Sequence, residues 1–247
     1  MSISKRTKIN RLLNSQPYEV VFLSAWLRQQ GYSQSLQTRY RNNQWLTSIG
    51  KGAMIRSGDK VTYEGAIYAL QHQANVSIHP GGRTALSLLG KAHYLELAST
   101  KATLFGGIAE PLPAWFRNHD WGLKIHYHKT GFLPSDIGLI DTEFKTFSIK
   151  ISGAARAIME CLYLTPEKQE LSECYELMEG LNNLRPALVQ PLLEQCRSVK
   201  VKRLFLYLAE KAGHAWLNHI DTKRINLGSG KRHIVKTGKA IYVPKYQ

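Results

Sequence analysis

Along the first half-hundred residues, apolar positions fall at helical spacing and then switch to alternation. Ile9, Leu12 and Leu13 recur one turn apart in a basic segment that begins with Lys5 and Arg6, predicting a first helix. It stops near Asn14-Ser15-Gln16-Pro17, because proline disfavours helical geometry in the residue before it. After an extended Tyr18-Glu19-Val20-Val21, the segment Phe22 to Gln30 places Leu23, Trp26 and Leu27 on one face, with Gly31 as a left-handed cap. Ser33 offers its hydroxyl to a third helix in which Leu36 and Tyr40 point inward. The outer face of that helix is then Gln34, Ser35, Gln37, Thr38, Arg41 and Asn42. The runs "WLTSI" and "AMIR" read as two strands joined at Gly50, Lys51 and Gly52.

This order of three helices and a two-stranded hairpin is that of a winged helix-turn-helix. Its third helix would enter a DNA groove and its hairpin would grip phosphate. Amide, hydroxyl and guanidinium side chains can read base edges or hold phosphate oxygens, and glycines let the wing backbone approach the sugar-phosphate chain. The expected DNA-binding set is Lys5, Arg6, Gln34, Ser35, Gln37, Thr38, Arg41, Asn42, Lys51 and Arg56.

Beyond a helix expected from Tyr63 to His72, the chain becomes β-rich and then helical. Residues 99–150 alternate in the strand manner, most clearly in "KATLFGG", "GLKIHYH" and "TFSIKI". From Ser152 the period is helical, through "GAARAIMECLYL", "ELSECYELMEGL", "PALVQPLLEQC" and "VKRLFLYLAEKAGHAWLNHI". In the last of these, Leu204, Leu208, Ala212 and Trp216 share a core stripe. The fold class is α+β: an amino-terminal winged helix over residues 1–75, then a larger mixed domain over 76–247.

Charge sharpens the picture. The net charge is +15, carried mainly by the two ends, with +7 over residues 1–65 and +10 over 197–247, while residues 141–196 sum to −4. A polyanion is the first partner to expect. The three cysteines, Cys161, Cys174 and Cys196, show no paired spacing, so neither a disulfide framework nor a zinc site is expected. The apolar runs are too short to span a membrane, and the charged start lacks the apolar stretch of an export signal, so a cytoplasmic setting is expected.

Three stretches carry candidate chemistry. In "NVSIHPGGRTALSLLGKAHYL", a strand, a glycine turn and a helix imitate a phosphate cradle. The lysine and hydroxyl pair of a P-loop is absent, however, and a structural turn is the preferred reading. His126 and His128 would share one strand face without a third ligand at metal spacing. Asp136, Glu143 and Lys145 in "PSDIGLIDTEFK" imitate the signature of metal-dependent PD-(D/E)xK nucleases, in which carboxylates hold a divalent ion and the lysine helps activate water. That loose pattern supplies an alternative function; a plain DNA-binding regulator supplies another. The preferred reading is non-catalytic, with no cofactor.

The whole chain resembles a known family. "QWLTSIGKGAM", "GGRTALSLLGKAHYL", "SGAARAIMECLYL", and above all "KRLFLYLAEKAGHAW" followed by "LGSGKRHIVKTGKAIYVPKY", are similar to AbiEi-type antitoxins of type IV toxin-antitoxin systems. The resemblance implies a bacterial or phage-defence setting. It also implies an amino-terminal domain that binds promoter DNA, with inverted repeats, to repress its own operon. The carboxy-terminal domain would counteract a nucleotidyltransferase-like toxin without needing a stable complex. The basic residues Lys200, Lys202, Arg203, Arg224, Lys231, Arg232 and Lys236 form the expected antitoxin surface. One departure is Gln44, where relatives are expected to carry glycine.

Overall fold

The computed structural model describes residues 8–91 and 100–230. Its amino-terminal part runs α1 (Lys8–Ser15), β1 (Val21–Leu23), α2 (Ser24–Gln29), α3 (Gln34–Asn42), β2 (Leu46–Gly50) and β3 (Ala53–Arg56). The three strands form one antiparallel sheet in the order β1-β3-β2. This is a winged helix-turn-helix, as the periodicity predicts. The second helix begins later than expected, because Phe22 and Leu23 belong to β1. Phe22 pairs with Met54 and Leu23 with Ala53, and a three-residue strand buried at every position gains more from that sheet than from an extra half-turn of helix. Ile9, Leu12, Phe22, Leu27, Tyr32, Tyr40, Leu46 and Met54 fill a small core of their own.

Helix α4 (Tyr63–Gln73) joins this module to the rest through two glutamines two residues apart. The Gln73 amide completes the free edge of β1, accepting from Leu23 N at 2.8 Å and donating to the Val21 carbonyl at 2.8 Å. Gln71 does the same for β8 (Phe147–Ser152), accepting from Lys150 N at 2.8 Å and donating to the Lys150 carbonyl at 2.9 Å. Each amide satisfies a donor and an acceptor that an edge strand leaves unpaired. The wing is braced as well. Gly50 lies at φ +150°, and a Cβ there would come within 2.8 Å of the Trp115 Cβ on α6 (Ala114–Asn118).

The larger part carries two further sheets. β4 (His79–Pro80) pairs antiparallel with β5 (Lys101–Gly106), which pairs in parallel with β6 (Lys124–Lys129) across the α6 connection. β7 (Leu139–Phe144) and β8 form a hairpin. Helix α7 (Ala154–Leu164) is the hub, buried without interruption from Ala155 to Leu162 and packed by α5 (Gly82–Leu88), α8 (Leu171–Glu179), α9 (Pro186–Gln195) and α10 (Val199–Lys211). The last helix ends earlier than its apolar stripe suggests, at Gly213 with φ +71°. Trp216 nevertheless reaches the core from a short 3-10 turn over Ala215–His219 and donates to the Leu181 carbonyl at 2.8 Å.

Candidate nucleic-acid interface

Helix α3 begins as its sequence dictates. The Ser33 hydroxyl accepts from Leu36 N at 3.3 Å, and Gly31 turns the chain at φ +81° before it. Gln34, Ser35, Thr38, Arg41 and Asn42 are exposed, and Arg41 donates to the Thr38 hydroxyl at 3.0 Å. Lys51 is exposed at the wing turn, next to Gly52 at φ +90°. Six of the expected DNA-facing side chains are thus presented to solvent. Lys5 and Arg6 lie outside the described residues.

Two of the expected contacts are corrected. Gln37 is 1% exposed and faces inward. Its Nε2 donates to the Tyr32 carbonyl at 2.8 Å and the Ser24 carbonyl at 3.2 Å, and its Oε1 accepts from the Ser24 hydroxyl at 2.6 Å. It locks the turn between α2 and α3, using both ends of its amide on Ser24 and Tyr32. Arg56 is also buried, at 9% exposure. It donates from Nη2 to the Leu13 carbonyl at 2.6 Å and stacks over the Tyr18 ring at 3.8 Å. α1 has no basic residue in its last turn, and Arg56 brings a cation from the wing strand to its carbonyl end. Sequence reasoning also passed over Arg28 and Arg39, which are exposed on α2 and α3, and Thr47 and Ser48, exposed on the wing. Helical spacing places Arg39 beside Ser35 and Asn42, which is the signal that could have found it.

The basic carboxy-terminal set divides differently from expectation. Lys202 is 4% exposed. Lys200 donates to the Tyr163 and Thr165 carbonyls at 2.9 and 2.6 Å, tying α10 to the end of α7. Arg203 clasps the carbonyls of Leu227, Gly228 and Gly230 at 2.9, 3.3 and 2.8 Å. Arg224 pairs with Glu194 at 2.9 Å. Of these four, Lys202 is buried, Lys200 and Arg203 are partly buried and held to backbone carbonyls, and Arg224 stays exposed while paired with Glu194. Lys231, Arg232 and Lys236 lie outside the described residues.

The glycine turn at Gly81 and Gly82 is occupied from within. Gly82 N donates to Glu160 Oε2 at 2.8 Å, so a buried carboxylate stands where a bound phosphate would. Ser152 donates to the same oxygen at 2.7 Å, Arg156 Nε lies 2.9 Å from Oε1, and His79 Nε2 lies 3.3 Å from it. Burial alone would raise the Glu160 carboxyl, but the hydrogen bond and charge of His79, the charge of Arg156 and the Gly82 N–H hold it below its ordinary value. The turn is structural, as preferred.

The nuclease-like residues are not assembled. Asp136 precedes β7, whereas Glu143 and Lys145 sit at its far end and in the turn beyond, all three exposed. The four residue steps from Leu139 to Glu143 alone span about 13 Å. Among the described residues, no group of three or more His, Cys, Asp or Glu side chains is placed to hold a metal ion. Among the described residues, too, no helix is long and apolar enough to cross a membrane.

The chain matches two family models end to end. Residues 5–97 match that of the AbiEi antitoxin amino-terminal domain, described as a transcriptional regulator. Residues 99–247 match that of the AbiEi antitoxin, a transcriptional regulator of type IV toxin-antitoxin systems. No curated protein matches. In three dimensions the chain is similar to the RV2827C protein from Mycobacterium tuberculosis, whose crystal structure superposes with a TM-score of 0.57 at 12% identity, over 96% of this chain and 88% of that one. At that identity the likeness concerns the fold alone. The two models together leave one assignment: the chain belongs to the AbiEi antitoxin family, and it is a transcriptional regulator of the type IV toxin-antitoxin class.

Proposed function

We propose that the chain represses its own operon by placing α3 in the major groove of inverted repeats in the promoter, with Lys51 of the wing on phosphate. The observation that carries this reading is the division of labour within one module. Gln37 and Arg56 are drawn inward to hold the helices, while Gln34, Ser35, Thr38, Arg41 and Asn42 are left outward beside a basic wing tip. Arg41 is proposed to contact a base edge and Lys51 a phosphate. The remainder of the chain would counteract a nucleotidyltransferase-like toxin without a stable complex, using the basic run of Lys231, Arg232 and Lys236.

Mobility shifts on operator and random DNA test the first half. Arg41→Ala should lose operator preference as well as affinity, whereas Lys51→Ala should weaken all sequences alike and flatten the salt dependence by about one released counterion. Unchanged binding in both variants defeats the assignment. Growth rescue on toxin co-expression tests the second half. A folded variant with Lys231, Arg232 and Lys236 neutralised should protect poorly, and full protection would overturn that role.

A further inference from the structure

β5 and β6 run parallel and end side by side at Gly106 and Lys129. In open sheets with parallel strands, ligands bind in the crevice outside the carboxyl ends of the strands, where the outgoing loops diverge. Here a cleft of about 480 Å³ opens at that place, between the loop after β5, the loop after β6 and the segment leading into α10. Its size falls in the range of small-molecule sites.

The walls are fixed before any ligand arrives. The Glu110 carboxylate accepts from Ser77 N at 2.8 Å and Gly107 N at 2.9 Å, and the Tyr127 hydroxyl donates to the Glu110 carbonyl, which together set the first loop. Arg156 donates to the Pro134 carbonyl at 2.6 Å, and Arg197 N donates to the Phe132 carbonyl at 2.8 Å, which set the second. Those bonds consume the cleft's one carboxylate on its own loop.

What remains unspent is cationic or donating on one side and apolar on the other. Arg197 lines the cleft and is exposed, and its side chain makes no ion pair or hydrogen bond among the described residues. The loop N–H groups of Ile108, Ala109 and Gly131 likewise have no protein acceptor among them. Beside these donors, Ile108 is 69% exposed, and Leu133 and Pro134 face the cleft. A planar guanidinium favours a forked oxyanion, and loop N–H groups without a protein acceptor are free to donate to one.

We propose that this cleft is a binding site for a small organic anion, with an oxyanion head on Arg197 and the loop N–H groups and a compact apolar body against Ile108, Leu133 and Pro134. The site is separate from α3 and the wing, and its occupancy is independent of the DNA-binding proposal. Calorimetric titration of the full chain tests it with phenyl phosphate, benzoate, adenosine monophosphate and inorganic phosphate as probes. Phenyl phosphate or adenosine monophosphate should bind more tightly than inorganic phosphate, and benzoate separates a general oxyanion site from a phosphate-specific one. Arg197→Gln and Ile108→Asp, both at exposed positions, should each weaken the organic probe by about tenfold or more without shifting the thermal midpoint. Lys60→Gln, exposed and outside the cleft lining, should leave probe binding unchanged. The proposal is overturned if no organic probe binds at millimolar concentration, if inorganic phosphate binds as well as they do, or if both cleft variants bind like the parent.

Discussion

The Glu160 carboxylate lies 2.8 Å from the backbone nitrogen of Gly82 and pins the start of α5 to the middle of α7. Glu160 is fully buried, and its two oxygens gather Gly82, Ser152, Arg156 and His79. Removing one partner of such a cluster leaves an uncompensated charge in a place where water cannot reach it. Glu160→Ala should therefore destabilise the protein by about 3–5 kcal/mol, and Glu160→Gln should recover part of that loss because its amide oxygen still accepts from Gly82. Chemical denaturation of the three proteins measures both, and an alanine variant as stable as the parent would refute the cluster's role.

Gln37 offers a separable test of the DNA-binding module. Gln37→Ala removes the amide's bonds to Ser24 and leaves the Tyr32 carbonyl without that donor in the turn, and should cost about 1–3 kcal/mol. Its operator preference at low temperature should survive, since the side chain does not reach the surface. A loss of base preference without a loss of stability would place Gln37 on the DNA after all.

Gln44 adopts φ +56°, the left-handed conformation that favours glycine, at the turn from α3 into the wing. Gln44→Gly removes that strain while giving back some chain entropy in the unfolded state. The net expectation is a gain of up to about 1 kcal/mol, read as a higher thermal midpoint. A lower midpoint would mean that the side chain contributes more than its backbone costs.

His128 sets a pH dependence. Burial first, then the positive charges of Lys168 and His126, push its imidazole down to about 4, against a smaller opposite pull from Glu160. The folded state therefore holds His128 neutral, while the unfolded chain takes up a proton near its ordinary value of about 6.5. Stability should be fully present above that value and decline as pH falls toward about 4. His128→Gln should flatten the decline in thermal midpoint between neutral and mildly acid solution. Parallel curves for parent and variant would rule the residue out as its source.

The sequence by itself determined what local rules govern. Ser33, Gly31, the spacing of Leu36 and Tyr40, and the Gly50-Lys51-Gly52 turn place α3 and the wing, because caps, helical period and turn chemistry act over a few residues. The exposed Arg41 and Lys51 were legible for the same reason. Tertiary structure decided where a polar side chain went when two uses competed. Gln37 and Arg56 look like DNA contacts in a basic, polar stretch, yet their donors are bonded to backbone carbonyls 13 and 43 residues away in sequence, at the start of α2 and the end of α1. Lys200, Lys202 and Arg203 look like a basic surface, yet packing of α10 buries one and turns the others onto carbonyls. Glu160 carries no local signature, and it fills the glycine turn from 78 residues away only once α7 crosses α5. An unsatisfied buried carbonyl or N–H costs more than a solvated side chain gains, and which groups become buried is settled only when distant segments meet.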